Sequence, residues 1–187
     1  SKALAIGFAG GAIEVWDVAT RKRTSALRYP EALFAVSWSS DGTRLAAGGG
    51  AKIFVWDVKG SNLIKSFDIK EGLPAASVGP MVRTLLFGLD ANTLAAGCWD
   101  GYVRIYNLSA RNPTDYREQR IGDGHRSCVY SLAFSPDART LVSGGFDRTV
   151  RLWEAFSGRQ IAQLKGHHGA VRGVAFRADG RCVYSAG

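Results

Sequence analysis

The chain has 187 residues, 46% of them hydrophobic and 21% charged, with 23 glycines and a formal net charge of +8 at pH 7. That balance excludes a disordered chain, which would have too little apolar surface to bury. No apolar run approaches the roughly 20 residues of a membrane helix, and the N-terminus lacks the basic start and apolar stretch of a secretion signal.

The three cysteines, Cys98, Cys128 and Cys182, have no CxxC spacing, which argues against a disulfide framework and a zinc site. Read as buried, inert thiols, they point to a reducing compartment and a cytoplasmic location. The positive balance suits a nucleic acid or an acidic partner. Its residues are nevertheless scattered: Arg21-Lys22-Arg23, Arg117, Arg120, Arg126, Arg148, Arg151 and Arg172 come from different turns and strands. A solvated surface is the first reading and polyanion binding the alternative.

Taken in order, residues 1–8, 13–17 and 23–27 read as strands of a first unit, 1–27. Residue 1 is not Met, and this unit lacks the strand that opens the others, so a longer parent chain is expected. The second unit, 28–70, has strands at 33–38, 45–48, 53–57 and 63–67. Its turn Gly48-Gly49-Gly50-Ala51 is one residue shorter than its counterparts and has no Asp, so glycine supplies the turn. As a phosphate cradle it lacks the spacing and the Ser/Thr of a P-loop. Residues 68–80, with Gly72, Pro74, Gly79 and Pro80, are longer than a hairpin link and form a candidate surface excursion toward a partner. The third unit, 71–123, reads as strands at 81–87, 94–97, 103–107 and, after the polar loop 109–115, 116–121. Asn107-Leu108-Ser109 matches a glycosylation acceptor and is discounted in a chain with no secretion signal.

The fourth unit, 124–165, is the clearest. It opens on Gly124-His125, runs apolar over 129–134 and turns at Ser135-Pro136-Asp137, where Pro136 presets φ. A second run at 141–144 leads into a tight turn around Asp147, whose side chain can bond its own backbone. A third run, 150–153, closes on Trp153, and a more polar fourth follows at 160–164. Gly166-His167 restarts the pattern, and 171–176 and 183–186 are the strands of a last unit, 166–187. Trp16, Trp56 and, by substitution, Tyr106 answer Trp153. Asp41-Gly42, Asp90-Ala91 and Asp179-Gly180 answer the turn at Asp137. A period of about 40 to 50 residues points to stacked supersecondary units.

Gly124-His125, Ser135-Pro136-Asp137, Leu141-Val142-Ser143-Gly144, Asp147 and Trp153-Glu154, with Trp16-Asp17 and Trp56-Asp57, resemble the WD-repeat β-propeller family over nearly the whole chain. The resemblance implies an all-β fold of four-stranded antiparallel blades. Three complete blades and two partial ones make an incomplete ring, an open arc. The resemblance also implies that His125, Ser143, Asp147 and Trp153 form a hydrogen-bonded structural tetrad, in which an indole, a hydroxyl, an imidazole and a carboxylate satisfy one another. Blade three keeps Asp100 but has Ala96 for the hydroxyl and Tyr106 for the indole. Blades one and two have Ile6 and Ala47 at the Ser143 position. Those three blades are expected to rely on apolar packing.

Ser, His and Asp are also the residues of a hydrolase. The set recurs with the repeat, as His167 and Ser185, and no G-x-S-x-G elbow is present. A serine hydrolase therefore ranks last, and no catalytic residue, cofactor, metal or membrane contact is expected.

Binding on the ring's faces is what the family resemblance implies. The candidate partner-binding residues are Phe34, Arg83, Tyr130 and Arg172, at the starts of first strands, with Trp99 and Phe146 beside the turn Asp. Aromatic residues and arginine dominate binding hot spots. The competing reading is that several of them cap the core. The expected function is a non-catalytic protein-protein interaction scaffold within a larger protein. Its expected partners are the remaining blades of the same chain and a peptide or protein segment, with Arg83 and Arg172 favouring an acidic one. Nucleic-acid or polyanion binding through the basic surface is the alternative.

Overall fold

The computed structural model describes residues 3–69, 81–109, 119–120 and 124–187. Seventeen strands fall into five antiparallel sheets, each in chain order, with no helix among the described residues. The first sheet holds β1 (Ala3–Gly7), β2 (Ala12–Asp17) and β3 (Lys22–Arg28). The second holds β4 (Leu33–Trp38), β5 (Arg44–Gly49), β6 (Lys52–Asp57) and β7 (Asn62–Asp68). The third holds β8 (Val82–Phe87), β9 (Thr93–Cys98), β10 (Val103–Asn107) and the two-residue β11 (Gln119–Arg120). The fourth holds β12 (Val129–Phe134), β13 (Thr140–Gly145), β14 (Val150–Glu154) and β15 (Gln160–Leu164). The last pairs β16 (Gly173–Phe176) with β17 (Val183–Ala186).

These sheets are blades, and the burial of their strands shows how they stack. After its first residue, each of β5, β9 and β13 is buried along its whole length. A strand covered on both faces reads as an unbroken run of apolar and small residues, not as an alternation. Leu-Ala-Ala-Gly-Gly, Leu-Ala-Ala-Gly-Cys and Leu-Val-Ser-Gly-Gly are such runs. The outermost strands β7 and β15 are mostly exposed.

The joint between blades is a socket made by glycine. A Cβ on Gly7 would lie 2.6 Å from a Leu33 methyl, on Gly48 2.7 Å from Val82 Cγ1, on Gly97 2.7 Å from Val129 Cγ1, and on Gly144 2.6 Å from Val171 Cγ1. In every case the apolar residue that opens the next blade fills the space a side chain would need. Backbone bonds fasten the same joints, Val82 N to Gly50 O at 3.1 Å and Val171 N to Gly145 O at 3.0 Å. As a result β1 lies against β4, β4 against β8, β8 against β12 and β12 against β16. The core is divided among these seams, with Ile13, Leu45 and Trp56 in the first, Ile53, Phe67 and Leu94 in the second, and Val103, Leu141 and Trp153 in the third.

The blades form an open arc. Leu4, Ile6 and Phe8 at one end and Tyr184 at the other stay exposed. The sequence-expected strands at 33–38, 103–107, 129–134, 160–164 and 183–186 coincide with β4, β10, β12, β15 and β17, and most others differ by a residue or two at an end. The strand expected at 171–176 starts only at Gly173, which pairs with Ala186, whereas in blades three and four the opening valines Val82 and Val129 pair with Cys98 and Gly145 and are themselves in strands. The strand expected at 116–121 is described only as β11, and β7 runs to Asp68. The rest of the 68–80 connector, beyond Ile69, and most of the 109–115 loop lie outside the described residues.

Candidate functional site

Four elements of blade four converge on one buried polar set. His125 lies just before β12, Ser143 in β13, Asp147 in the β13–β14 turn and Trp153 in β14. The structure brings all four sequence-expected residues together. Trp153 Nε1 donates to Ser143 Oγ at 2.8 Å, Ser143 Oγ lies 2.7 Å from His125 Nε2, and His125 Nδ1 lies 2.8 Å from Asp147 Oδ1. Gly145 makes room for the ring, since a Cβ there would sit 2.5 Å from His125 Nδ1.

Charge sets the direction of these bonds. Burial works to raise the Asp147 carboxyl, but His125, the Arg126 N–H and the Thr149 hydroxyl together bring it down to about 2. Burial lowers the His125 pKa, opposed by Asp147, so at pH 7 the imidazole is neutral. The carboxylate has no proton to give, so Nδ1 donates to Asp147 and Nε2 accepts from the Ser143 hydroxyl. Protons thus point one way along the chain Trp153, Ser143, His125, Asp147. Thr149 Oγ1 at 2.8 Å, Thr149 N at 3.2 Å and Arg126 N at 3.0 Å also donate to the carboxylate.

Blade three departs from the expectation of purely apolar packing. Arg104 is fully buried, and its guanidinium grips Asp100 with two bonds, NH1 to Oδ1 at 2.9 Å and NH2 to Oδ2 at 2.6 Å. Arg104 lies opposite Ala96 in the register. Arg151 holds the matching place in blade four, with NH2 3.6 Å from Asp147 Oδ2. The sequence signal was present: both arginines follow the valine that opens a third strand and stand four residues after a turn Asp.

Sequence reasoning also missed Tyr29. It precedes Leu33 by the four residues that separate His125 from Val129, and its N–H bonds Gly11 O at 2.8 Å as that of His125 bonds Gly101 O at 2.8 Å. Its hydroxyl donates to Lys52 O at 2.9 Å, and burial with the nearby Glu31 charge pushes its pKa up to about 12. Its ring meets Phe54 edge-on and Phe54 stacks on Trp56, so in blade two aromatic rings occupy the space of the polar set.

The six candidate partner-binding residues divide into a cluster and two outliers. Strands β4, β8 and β12 each skip a register position at their second residue, which is Phe34, Arg83 and Tyr130 respectively. A bulge re-aims a side chain. Arg83 lies 5.4 Å and Arg172 5.7 Å from the Tyr130 ring centroid, and the Phe146 ring is 6.2 Å away. Three consecutive blades thereby contribute to one cation and aromatic cluster, with Phe146 well exposed. Trp99 occupies in blade three the place of Phe146 and is partly exposed, as is Phe34. Among the described residues no ring contact ties either of them to the cluster.

Ser143 is 0% exposed. Among the described residues there is no group of His, Cys, Asp and Glu that could hold a metal ion, and no helix long and apolar enough to cross a membrane. The three cysteines are free; Cys98 and Cys128 are buried, but Cys182 is exposed, contrary to the expectation, because it lies in the turn just before β17 of the last sheet.

The sequence profile of the family described as WD domain, G-beta repeat matches residues 25–57, 73–107, 117–154 and 158–187. The chain is similar to a Denticleless protein homolog of Danio rerio, 30% identical over 64% of this chain and 18% of the relative. It is similar to the B-type cell cycle switch protein ccs52A of Medicago truncatula, 27% identical over 92% of this chain and 34% of the relative. It is also similar to the guanine nucleotide-binding protein G(I)/G(S)/G(T) subunit beta-1 of Homarus americanus, 26% identical over 88% of this chain and 46% of the relative. The chain spans less than half the length of each of these relatives.

Proposed function

Because the chain belongs to the WD40 repeat family, we propose that it is a non-catalytic protein-interaction scaffold that binds an acidic peptide or protein segment on the face bearing Arg83, Tyr130, Phe146 and Arg172. The observation that carries this reading is the clustering of those four side chains from three blades around one ring. Among the described residues neither Arg83 nor Arg172 has a carboxylate partner. Two guanidiniums and two rings supply charge, planar donors and apolar area together, the combination found at binding hot spots. Trp99 and Phe34 extend the surface along the neighbouring blades. The burial of Ser143 supports a bracing role for the polar set over a catalytic one. The free cysteines support placing the protein in a reducing compartment, the cytoplasm.

Capture of a partner from extract by the parent chain and by a Trp99→Ala, Arg83→Glu, Arg172→Glu triple variant tests the proposal. Loss of capture by the variant is expected, and undiminished capture would remove it. Polyanion binding through the net charge of +8 is separated by its steep salt dependence on DNA or heparin.

A further inference from the structure

At the turn between first and second strands, the seam joining blades two and three is closed by polar side chains. Ser40 Oγ donates to the Leu89 carbonyl at 2.7 Å, and Arg44 NH1 reaches Ala91 O at 3.4 Å and Asn92 Oδ1 at 3.2 Å. One seam further on, Leu89 and Thr93 hold the positions of Ser40 and Arg44. Leu89 has no side-chain donor, and the Thr93 hydroxyl is engaged by Asp90 at 2.9 Å.

The seam between blades three and four is consequently open there, as a cleft of about 490 Å³, within the size range of ligand sites. Leu89 and Ile105 of one blade and Phe134, Pro136 and Phe156 of the next form its apolar walls. Phe156 is 76% exposed and Leu89 56%, so large apolar side chains flank the opening without filling it.

The charge of the cleft is opposite to that of the chain. Asp90 and Asp137 line it, and among the described residues no Lys or Arg does. Each carboxylate is held in place by its own turn, Asp90 accepting from Thr93 N at 2.8 Å and Asp137 from Ser135 Oγ at 2.6 Å. The Ser135 and Arg139 bonds keep the Asp137 pKa below the ordinary value, so it is ionised at neutral pH.

We propose that this cleft is a second binding site, which takes a peptide segment inserting one apolar side chain with an adjacent Lys or Arg directed at Asp90 and Asp137. It lies at the opposite ends of β8 and β12 from Arg83 and Tyr130. The two sites therefore accept segments of opposite charge at the same time.

Selection of random displayed peptides on the protein, followed by fluorescence anisotropy of those enriched, tests this. Enriched peptides carrying an apolar residue beside Lys or Arg are expected. Their affinity should fall about tenfold, some 1.4 kcal/mol, on Leu89→Ser/Thr93→Arg, which installs on this seam the side-chain types that close its neighbour. Arg83→Glu/Arg172→Glu should leave it within about twofold. Should the closing variant fail to fold, Asp137→Asn retains an oxygen to cap the turn and should still weaken binding and flatten its salt dependence. Failure to enrich such peptides, or enrichment of peptides indifferent to both cleft variants, would overturn the proposal.

Discussion

At His125 the folded chain holds a neutral imidazole where water would leave it free to charge. Burial lowers its pKa against the opposing pull of Asp147, while an unfolded histidine takes up its proton near pH 6.5. Below about that pH the unfolded chain binds more protons than the folded one, so stability falls as acid is added. Asp147, at about 2 in the folded chain against about 3.9 unfolded, contributes stability that is fully present above about pH 4 and disappears as pH falls through about 2. Urea midpoints between pH 8 and 5 should decline in the parent and decline much less in His125→Gln. An equal decline in both would place the proton uptake elsewhere. Removing the carboxylate at pH 7 is a separate test. Asp147→Ala leaves His125 Nδ1 and Arg126 N without their acceptor and should cost about 1 to 3 kcal/mol; an unshifted urea midpoint would mean that the bonds brace nothing.

Blades are held to one another by what glycine omits. Valine at Gly144 would force its Cβ to within 2.6 Å of Val171 Cγ1, an overpacking expected to cost about 1 to 3 kcal/mol and to loosen blade five first. Amide hydrogen exchange should show β16 losing protection while β13 and β14 keep theirs, and unchanged protection in β16 would show that the socket is dispensable. The strands themselves were legible, since apolar runs bounded by Asp-containing turns recur at one spacing. Gly7, Gly48, Gly97 and Gly144 were visible as landmarks of the repeat, but their reason was not, because the atoms they admit belong to another blade. Tyr130 was legible as a surface candidate, whereas the bulge that presents it leaves no trace in the apolar pattern. Arg104 was missed for a different reason. Loss of the hydroxyl at Ala96 and of the indole at Tyr106 looked like loss of all buried polar contacts, although Asp100 keeps a buried ion pair with Arg104.

For the whole molecule the consequence of stacked blades is a division of labour between seams and faces. Seams hold the apolar core and its polar bracing; the faces carry a cationic aromatic cluster on one side and an acidic apolar cleft on the other. Leu4 and Ile6 on the first sheet and Phe8 just after β1 remain exposed, and uncovered apolar strands invite association. Sedimentation of the isolated chain should reveal concentration-dependent self-association, reduced by Leu4→Lys/Ile6→Lys; a monomer at all concentrations would mean that the end sheet is covered. The claim on which the rest depends is that Trp153, Ser143, His125 and Asp147 form a solvent-excluded hydrogen-bonded brace in which His125 is neutral and donates from Nδ1. Nitrogen-15 NMR of the histidine side chains at pH 7 tests it most directly. The account predicts a neutral His125 with its proton on Nδ1, protected from solvent exchange. An imidazole protonated on Nε2, or one exchanging its proton as freely as an exposed histidine, would contradict it.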